Sequence, residues 1–228
     1  MDPYVSDEER WEAVKRWWKE NGTTIVTGLL VGLLLIVGWR AWTGYRQDKI
    51  ENATLRYEQL LLGLSQKRTK KNIKEVEKAS RSLIQDYLGS PYAVDGALLL
   101  AKLKVETGAL KEAISQLRWV LKNTDEDSYK NHLARLRLAR LLRDEGKLGE
   151  ALATLKVDDQ GTYAVYYQYV QGTIYERQKK CEQAQAAYKG SIKGLVTTGS
   201  AKDRPDEWIN QQKFKQLIEH KLENVTNC

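Results

Sequence analysis

The sequence predicts an all-α protein with a single N-terminal transmembrane helix followed by an array of helical repeats. Three observations predict this class. Nineteen consecutive residues near the N-terminus, from Asn21 to Trp39, carry no charge. Glycine and proline, which interrupt helices, number only 16 and 3 among 228 residues. Two closely similar ten-residue segments recur 38 residues apart, and such a period is typical of stacked helical units.

The charge-free run is expected to form a membrane helix over residues 21–42. At about 1.5 Å of rise per residue it nearly spans a hydrocarbon core of about 30 Å. Tryptophans flank it as in interfacial belts, at Trp17 and Trp18 and again at Trp39 and Trp42. A buried core helix or a cleaved signal peptide would also be apolar. A bulky, charged sequence follows the run in place of a small-residue cleavage site, and we therefore expect an uncleaved anchor in the lipid membrane.

Within this anchor, Gly28 and Gly32 lie one helical turn apart and form a small-xxx-small pair. Such pairs let a neighbouring membrane helix approach closely. We expect these two glycines to form the docking face of the anchor.

Residues 1–20 are expected to form a short amphipathic tail, with Ser6 and Glu9 as a capping box. A simple extension of the membrane helix is an equally good interpretation. Lysine and arginine do not settle the orientation, because four lie within about twenty residues of each end of the anchor. The tighter cluster KRWWK favours a cytoplasmic N-terminus only slightly.

Residues 43–90 are expected to form a helical stalk and a degenerate first repeat. An apolar stripe with helical spacing continues beyond the anchor to Leu64. A basic loop is expected over residues 65–72. A helix over residues 74–87 should follow and end before the breaker Gly89-Ser90-Pro91.

Residues 91–195 carry the repeat pattern. The segments GALKEAISQL and GKLGEALATL begin at Gly108 and Gly146, and a fainter copy surrounds Ala184. The pattern resembles tetratricopeptide repeats, whose unit is a helix–turn–helix of 34 residues. An irregular helical bundle with chance alanine spacing is the alternative interpretation. The expected first helices are 91–107, 129–145 and 162–177, and the expected second helices are 110–122, 148–156 and 181–194.

The resemblance assigns a packing role to several small and apolar residues. The glycines stand at the interhelix turns, and an alanine stands where each second helix crosses its first helix. Small residues of the first helices are Ala101, Ala139 and Gly172; the crossing alanines are Ala113, Ala151 and Ala184; the neighbouring slot holds Leu117, Leu155 and Tyr188. Residues 196–228 are expected to be a loop and a capping helix that packs through Trp208, Ile209, Leu217 and Ile218.

The sequence contains no catalytic or cofactor-binding motif that we recognise. His132 and His220 lack partners at metal-ligand spacing and are interpreted as surface residues. Cys181 is expected to pack at a turn, and two scattered cysteines, Cys181 and Cys228, do not identify a redox compartment. The net charge of +7 is distributed among alternating acidic and basic residues, as on solvated helix faces. We therefore expect no enzyme, cofactor, metal or nucleic-acid ligand.

The face formed by the first helices is the expected partner-binding surface. Repeat register places on it Leu98, Lys102, Arg140, Arg143, Tyr166 and Tyr169. Tyrosine offers a large contact area and a polar tip at low rotamer cost, which suits weak binding of extended chains. Burial within the array is an equally good interpretation for Tyr166 and Tyr169, and Tyr167 is expected in the core.

The N-terminal block is the most specific part of the sequence. EAVKRWWKENG (12–22), GWRAW (38–42) and LARLRLARLLRDEGKLGEALATL (133–155) resemble the YfgM family, the ancillary subunits of the bacterial SecYEG translocon. The resemblance extends over nearly the full chain. It implies a single-pass inner-membrane protein with a cytoplasmic N-terminus and a periplasmic repeat domain. It also implies partners, namely the SecYEG channel and a membrane-anchored periplasmic chaperone of the PpiD kind.

The expected function is that of an adaptor at the channel exit, which engages chaperones or unfolded secreted chains as they emerge. The alternative is a membrane-tethered scaffold for the assembly of another inner-membrane complex.

Overall fold

The computed structural model describes residues 7–66, 69–197 and 205–226, and these ranges contain helices and no strands. The all-α class predicted from the sequence is therefore confirmed. The α-helices are α1 (Asp7–Ser65), α2 (Lys70–Asp86), α3 (Pro91–Glu106), α4 (Leu110–Lys122), α5 (Tyr129–Asp144), α6 (Leu148–Thr154), α7 (Ala164–Arg177), α8 (Cys181–Thr197) and α9 (Pro205–Thr226), with a 3-10 turn (Gly161–Tyr163) before α7. The chain divides into two compact units, Met1–Asn52 and Ala53–Cys228.

The first unit is the N-terminal part of α1. Helix α1 begins at Asp7 and continues without interruption through the charge-free run, so the described part of the tail extends the anchor helix. Ser6, of the expected capping box, lies outside the described residues. By length and composition α1 can cross a membrane, and only 6% of its most apolar window is buried within the protein. Exposed apolar surfaces of this extent are typical of segments that contact lipid or another protein.

The second unit begins with the last turns of α1, which pack against α2 and α3. Leu60, Val76, Leu83, Leu100 and Leu103 are all buried in one cluster. This cluster packs the region before the repeats against α3, the first helix of the array.

The basic loop expected over residues 65–72 is wrong at its C-terminal end, because α2 begins at Lys70. The hydroxyl of Thr69 accepts a hydrogen bond from the Asn72 amide at 3.1 Å, which caps the helix. The Asn72 side chain donates to the Gly63 carbonyl at 3.0 Å. Two lysines that looked like loop residues therefore lie in the first turn of a helix.

Helices α3 to α8 form three consecutive helix–turn–helix pairs, whose bounds lie within three residues of those predicted. Gly108 and Gly146 stand at the first two turns with φ of +78° and +79°, where a residue without a Cβ is favoured. The third turn has Lys179 at φ +58°. The turn glycines of the predicted repeat thus fulfil a backbone requirement that the third repeat meets with a lysine.

The three crossing alanines are completely buried, and so is Tyr188 in the third repeat. A Cβ on Gly172 would lie 2.6 Å from the Tyr188 ring. The larger tyrosine is therefore accommodated only because α7 has a glycine where α5 has Ala139.

The C-terminal helix α9 packs on α8 through Ile218 and Val225, which are buried. Leu217 is exposed, so its expected capping role is wrong, because Ile218 points to α8 and its neighbour turns about 100° away. The side chains of Trp208 and Ile209 and most of the expected loop lie outside the described residues.

A buried lysine joins α2, α3 and α4. Lys104 Nζ lies 2.9 Å from the carboxylate of Glu77 and 2.8 Å from that of Glu112, and Arg81 contacts both glutamates. Hydrogen bonds from Lys104 and Arg81 hold the pKa of Glu77 below its usual value.

Candidate functional site

The face of α1 that bears Gly28 and Gly32 is open. A Cβ at either position would meet no atom within 4 Å, and the leucines around them are exposed. The two glycines leave a shallow stretch on an otherwise bulky apolar helix, which is the geometry that close helix packing in a membrane requires. Docking at this face remains a prediction.

The predicted partner-binding residues of the second unit do not form one continuous surface. Leu98 is only 6% exposed and lies in the main core. Its assignment to the binding face is wrong, because that side of α3 packs against the helices of the same array. Lys102 and Arg140 line one groove. Arg143 and Tyr169 border a second concavity together with Lys221 of α9, although both also lie near enough to Arg140 to influence its pKa.

Lys102 and Arg140 line a groove of about 330 Å³ between α3 and α5. Its other lining residues are Ala101, Val105, Glu106, Leu117, Arg137 and Leu141. Four of these side chains are apolar. Three cations and one carboxylate surround the apolar surface, so the groove is both apolar and positively charged.

The cations of the groove differ in their partners. Lys102 lies 3.9 Å from Glu106. Arg137 and Arg140 have no ion pair with any residue that the structure describes. Burial lowers the pKa of Arg140; the nearby Tyr169 opposes this shift, and the Arg143 and Arg137 charges add to it. A half-buried guanidinium without a carboxylate is electrostatically unsatisfied.

Arg143 is engaged within the domain. Its guanidinium donates to the Thr173 hydroxyl at 2.8 Å and lies 2.7 Å from the Asp144 carboxylate. It borders a second, polar concavity of about 480 Å³, in which Lys221 lies 3.1 Å from Glu176. Arg143 and Lys221 are thus paired with carboxylates of the protein itself, and Arg177 adds a further cation to the lining.

The aromatic part of the predicted surface is partly covered by α9. Tyr166 is 41% exposed, and its ring stacks on Phe214 with centroids 5.2 Å apart. Tyr169 meets Phe214 edge-on at 5.1 Å. One face of each ring is therefore used for packing within the protein. Phe214 was missed from the sequence, where nothing indicated which helix face would cover the tyrosines.

Tyr167 is fully buried, and its predicted place in the core is confirmed. Its hydroxyl lies 2.9 Å from Nδ1 of His132, and burial raises the pKa of Tyr167 to about 12. His132 itself is buried and stacks on Tyr163, so its interpretation as a surface residue is wrong. Within the described ranges, no group of three or more His, Cys, Asp or Glu side chains is placed to hold a metal ion.

Arg137 was also missed, although the sequence contained a signal for it. It precedes Arg140 by three residues in α5, and side chains at that spacing lie on the same helix face. Extending the predicted surface by one turn would have included it.

Comparison with known proteins agrees with this architecture. A family model described as a tetratricopeptide repeat-like domain matches residues 15–227. The ancillary SecYEG translocon subunit of Escherichia coli (strain K12) is 26% identical over 197 residues, which cover 86% of this chain and 92% of that protein. The protein of the same name from Haemophilus influenzae (strain Rd) is 29% identical over 155 residues, covering 66% of this chain and 71% of its own.

Among solved structures, MamA 41-end from Desulfovibrio magneticus RS-1 superposes with a TM-score of 0.48 at 15% identity, covering 79% of this chain and 98% of its own. Similarity at that level carries no conclusion about this chain. The predicted resemblance to the ancillary SecYEG translocon subunits is confirmed by the sequence relatives. With the family model matching nearly its whole length, the chain belongs to the tetratricopeptide repeat-like domain family.

Proposed function

We propose that this protein is a membrane-anchored adaptor of the bacterial Sec translocon and not an enzyme. One observation carries the proposal: an exposed, charge-free helix and a repeat domain occur in a chain that is similar, over most of its length, to ancillary SecYEG translocon subunits. Tetratricopeptide-like arrays present extended surfaces that suit the binding of other polypeptides. The anchor holds such a surface beside the channel.

The N-terminus lies in the cytoplasm and the repeat domain in the periplasm under this proposal. Charges beside the anchor do not decide the orientation, because they are equal in number on both sides.

In the membrane, the anchor docks laterally on helices of the SecYEG channel through Gly28 and Gly32. In the periplasm, the first-helix face engages a membrane-anchored chaperone of the PpiD kind and unfolded secreted chains. Lys102 and Arg140 contact the partner in the groove between α3 and α5. Arg143, Tyr166 and Tyr169 form a second contact zone, which α9 partly covers. The exposed part of the Tyr166 ring supports weak contacts with many sequences.

The docking of the anchor is tested by photo-crosslinking in native membranes. A photoreactive amino acid at Leu35 lies on the same helix face as Gly28 and Gly32, whereas the matched control position, Leu30, faces away from it. We expect adducts with channel subunits from Leu35 and few from Leu30. Adducts only with unrelated membrane proteins, despite efficient labelling, would favour the tethered-scaffold alternative over the Sec adaptor.

The orientation is tested separately with reporters fused after the C-terminal residue. Alkaline phosphatase, which requires disulfides to be active, should be active there, and a fluorescent reporter that folds only in the cytoplasm should be dark. The reverse pattern would place the repeat domain in the cytoplasm and end the proposal of an adaptor at the channel exit.

A further inference from the structure

The groove between α3 and α5 combines an apolar lining with a positively charged rim. Its apolar lining comes from Ala101, Val105, Leu117 and Leu141. Its charged rim is predominantly positive, with Lys102, Arg137 and Arg140 against the single carboxylate of Glu106. Ala101 and Leu117 are already buried, whereas Val105 is exposed and Leu141 is partly exposed. A purely apolar ligand would leave the cations unsatisfied, and a purely anionic ligand would leave Val105 and Leu141 in contact with water.

The cations are arranged unequally along this rim. On the α3 side, Glu106 lies 3.9 Å from Lys102 and partly neutralises it. On the α5 side, Arg137 and Arg140 have no acidic partner among the described residues, and Arg140 is half-buried. Guanidinium groups bind carboxylates through paired hydrogen bonds that fix orientation as well as charge. The unsatisfied positive charge is therefore on one side of the groove.

We propose that this groove binds a polypeptide segment in which an apolar side chain stands next to a glutamate or aspartate. The apolar side chain packs on Val105 and Leu141, and the carboxylate turns towards Arg137 and Arg140. Glu106 disfavours a second carboxylate on the α3 side, so the acidic side chain lies on the α5 side. This inference rests on the proposed partner-binding role of the repeat domain and specifies the chemistry of the partner.

The second concavity does not satisfy the same conditions. There Arg143 is paired with Asp144, and Lys221 is paired with Glu176. Arg177 lines this concavity as well and adds a cation to it. None of its lining side chains is aliphatic, however, so an apolar side chain of a partner finds no matching surface there. Of the two concavities, only the groove between α3 and α5 combines unpaired cations with an aliphatic lining.

The proposal is tested with three blocked, fluorescein-labelled octapeptides and the full chain in lipid nanodiscs. The first peptide is Ser-Gly-Leu-Glu-Leu-Glu-Gly-Ser. The second has Gln in place of both Glu, and the third has Ser in place of both Leu. Fluorescence anisotropy should show binding of the first peptide and at least about tenfold weaker binding of the other two. The second peptide lacks the carboxylates, and the third lacks the apolar side chains.

The matched variants are Arg140→Gln, which removes a groove cation, and Arg118→Gln, which removes an exposed cation of α4 whose ion pair with Glu150 is on the surface. Arg140→Gln should weaken the first peptide about tenfold and leave the Gln peptide unchanged, whereas Arg118→Gln should change neither by more than about twofold. Circular dichroism confirms that both variants remain folded.

Three results would overturn the proposal. They are no measurable binding of the first peptide, equal binding of the Glu and Gln peptides, and an equal effect of Arg140→Gln and Arg118→Gln. Self-association of the full chain that Arg140→Gln abolishes would assign the groove to a second copy and would also overturn it. None of these results involves the anchor, so a failure here is distinguishable from a failure of the crosslinks at Leu35.

Discussion

The second repeat (α5 and α6) and the third repeat (α7 and α8) have the same helix–turn–helix architecture. They differ in residue type at three corresponding positions. The second has Ala139 beside Leu155, whereas the third has Gly172 beside Tyr188. The second turns at Gly146 and the third at Lys179, both with positive φ. Gly172 and Tyr188 compensate each other in volume, and Lys179 adopts a positive φ like that of Gly146. The repeat therefore conserves the combined volume of the two facing side chains and the backbone angle of the turn, and not the individual residues.

The same two repeats also differ in what covers their first helices. In the second repeat, Arg140 of α5 faces an open groove. In the third repeat, Tyr166 and Tyr169 of α7 pack on Phe214 of α9. The terminal helix satisfies the apolar face at its end of the array and leaves the groove next to α5 available for a partner.

The largest effect is expected when the third repeat receives the alanine that the second repeat has at the corresponding position. Gly172→Ala places a Cβ within 2.6 Å of the buried Tyr188 ring and should lower the free energy of unfolding by about 3 kcal/mol, because overpacking forces the ring or helix to move. Urea unfolding monitored by circular dichroism measures the loss.

The matched rescue is the double variant Gly172→Ala with Tyr188→Leu, which reproduces the pair in the second repeat. It should recover part of the stability, although the hydrogen bond from the Tyr188 hydroxyl to Glu176, 2.7 Å long, is lost with the ring. If the double variant is as unstable as the sum of the single variants, the two positions do not compensate each other as we infer.

A smaller effect is expected in the first repeat (α3 and α4), where the buried Lys104 forms ion pairs that take part in the helix packing. Lys104→Met should lower the free energy of unfolding at pH 7 by about 1–2 kcal/mol, because it removes the cation between Glu77 and Glu112. The glutamates are partly exposed, so water limits the loss.

The pKa of Glu77 determines how the free energy of unfolding should change with pH. The pKa of Glu77 is lowered in the folded protein, so its ion pairs stabilise the fold above the unfolded value of about 4.3 and lose that effect as the pH falls through the folded value. The stability of Lys104→Met should therefore decline less steeply than that of the parent protein between pH 6 and 3. Parallel declines would show that Lys104 does not set the pKa of Glu77.

Local sequence signals predicted the helices well, and the positions that depend on packing between helices less well. The turn glycines and crossing alanines are read within a single repeat. Leu98 and His132 were assigned to the surface although both are buried, because their environment is formed by neighbouring helices. Arg137 could have been predicted from helical periodicity, whereas the cover that Phe214 provides depends on how α9 packs.

The smallest effect concerns the interhelix turns, where only the backbone differs. Gly146→Ala should cost about 1 kcal/mol, because φ of +79° is unfavourable for a residue with a Cβ. Lys179→Gly should stabilise the third repeat by at most about 0.5 kcal/mol, since the relief of φ +58° is offset by the greater freedom of glycine in the unfolded chain. Thermal melting of both variants measures the contrast. A loss of stability with Lys179→Gly would mean that the lysine side chain, rather than the backbone angle, is what the third turn requires.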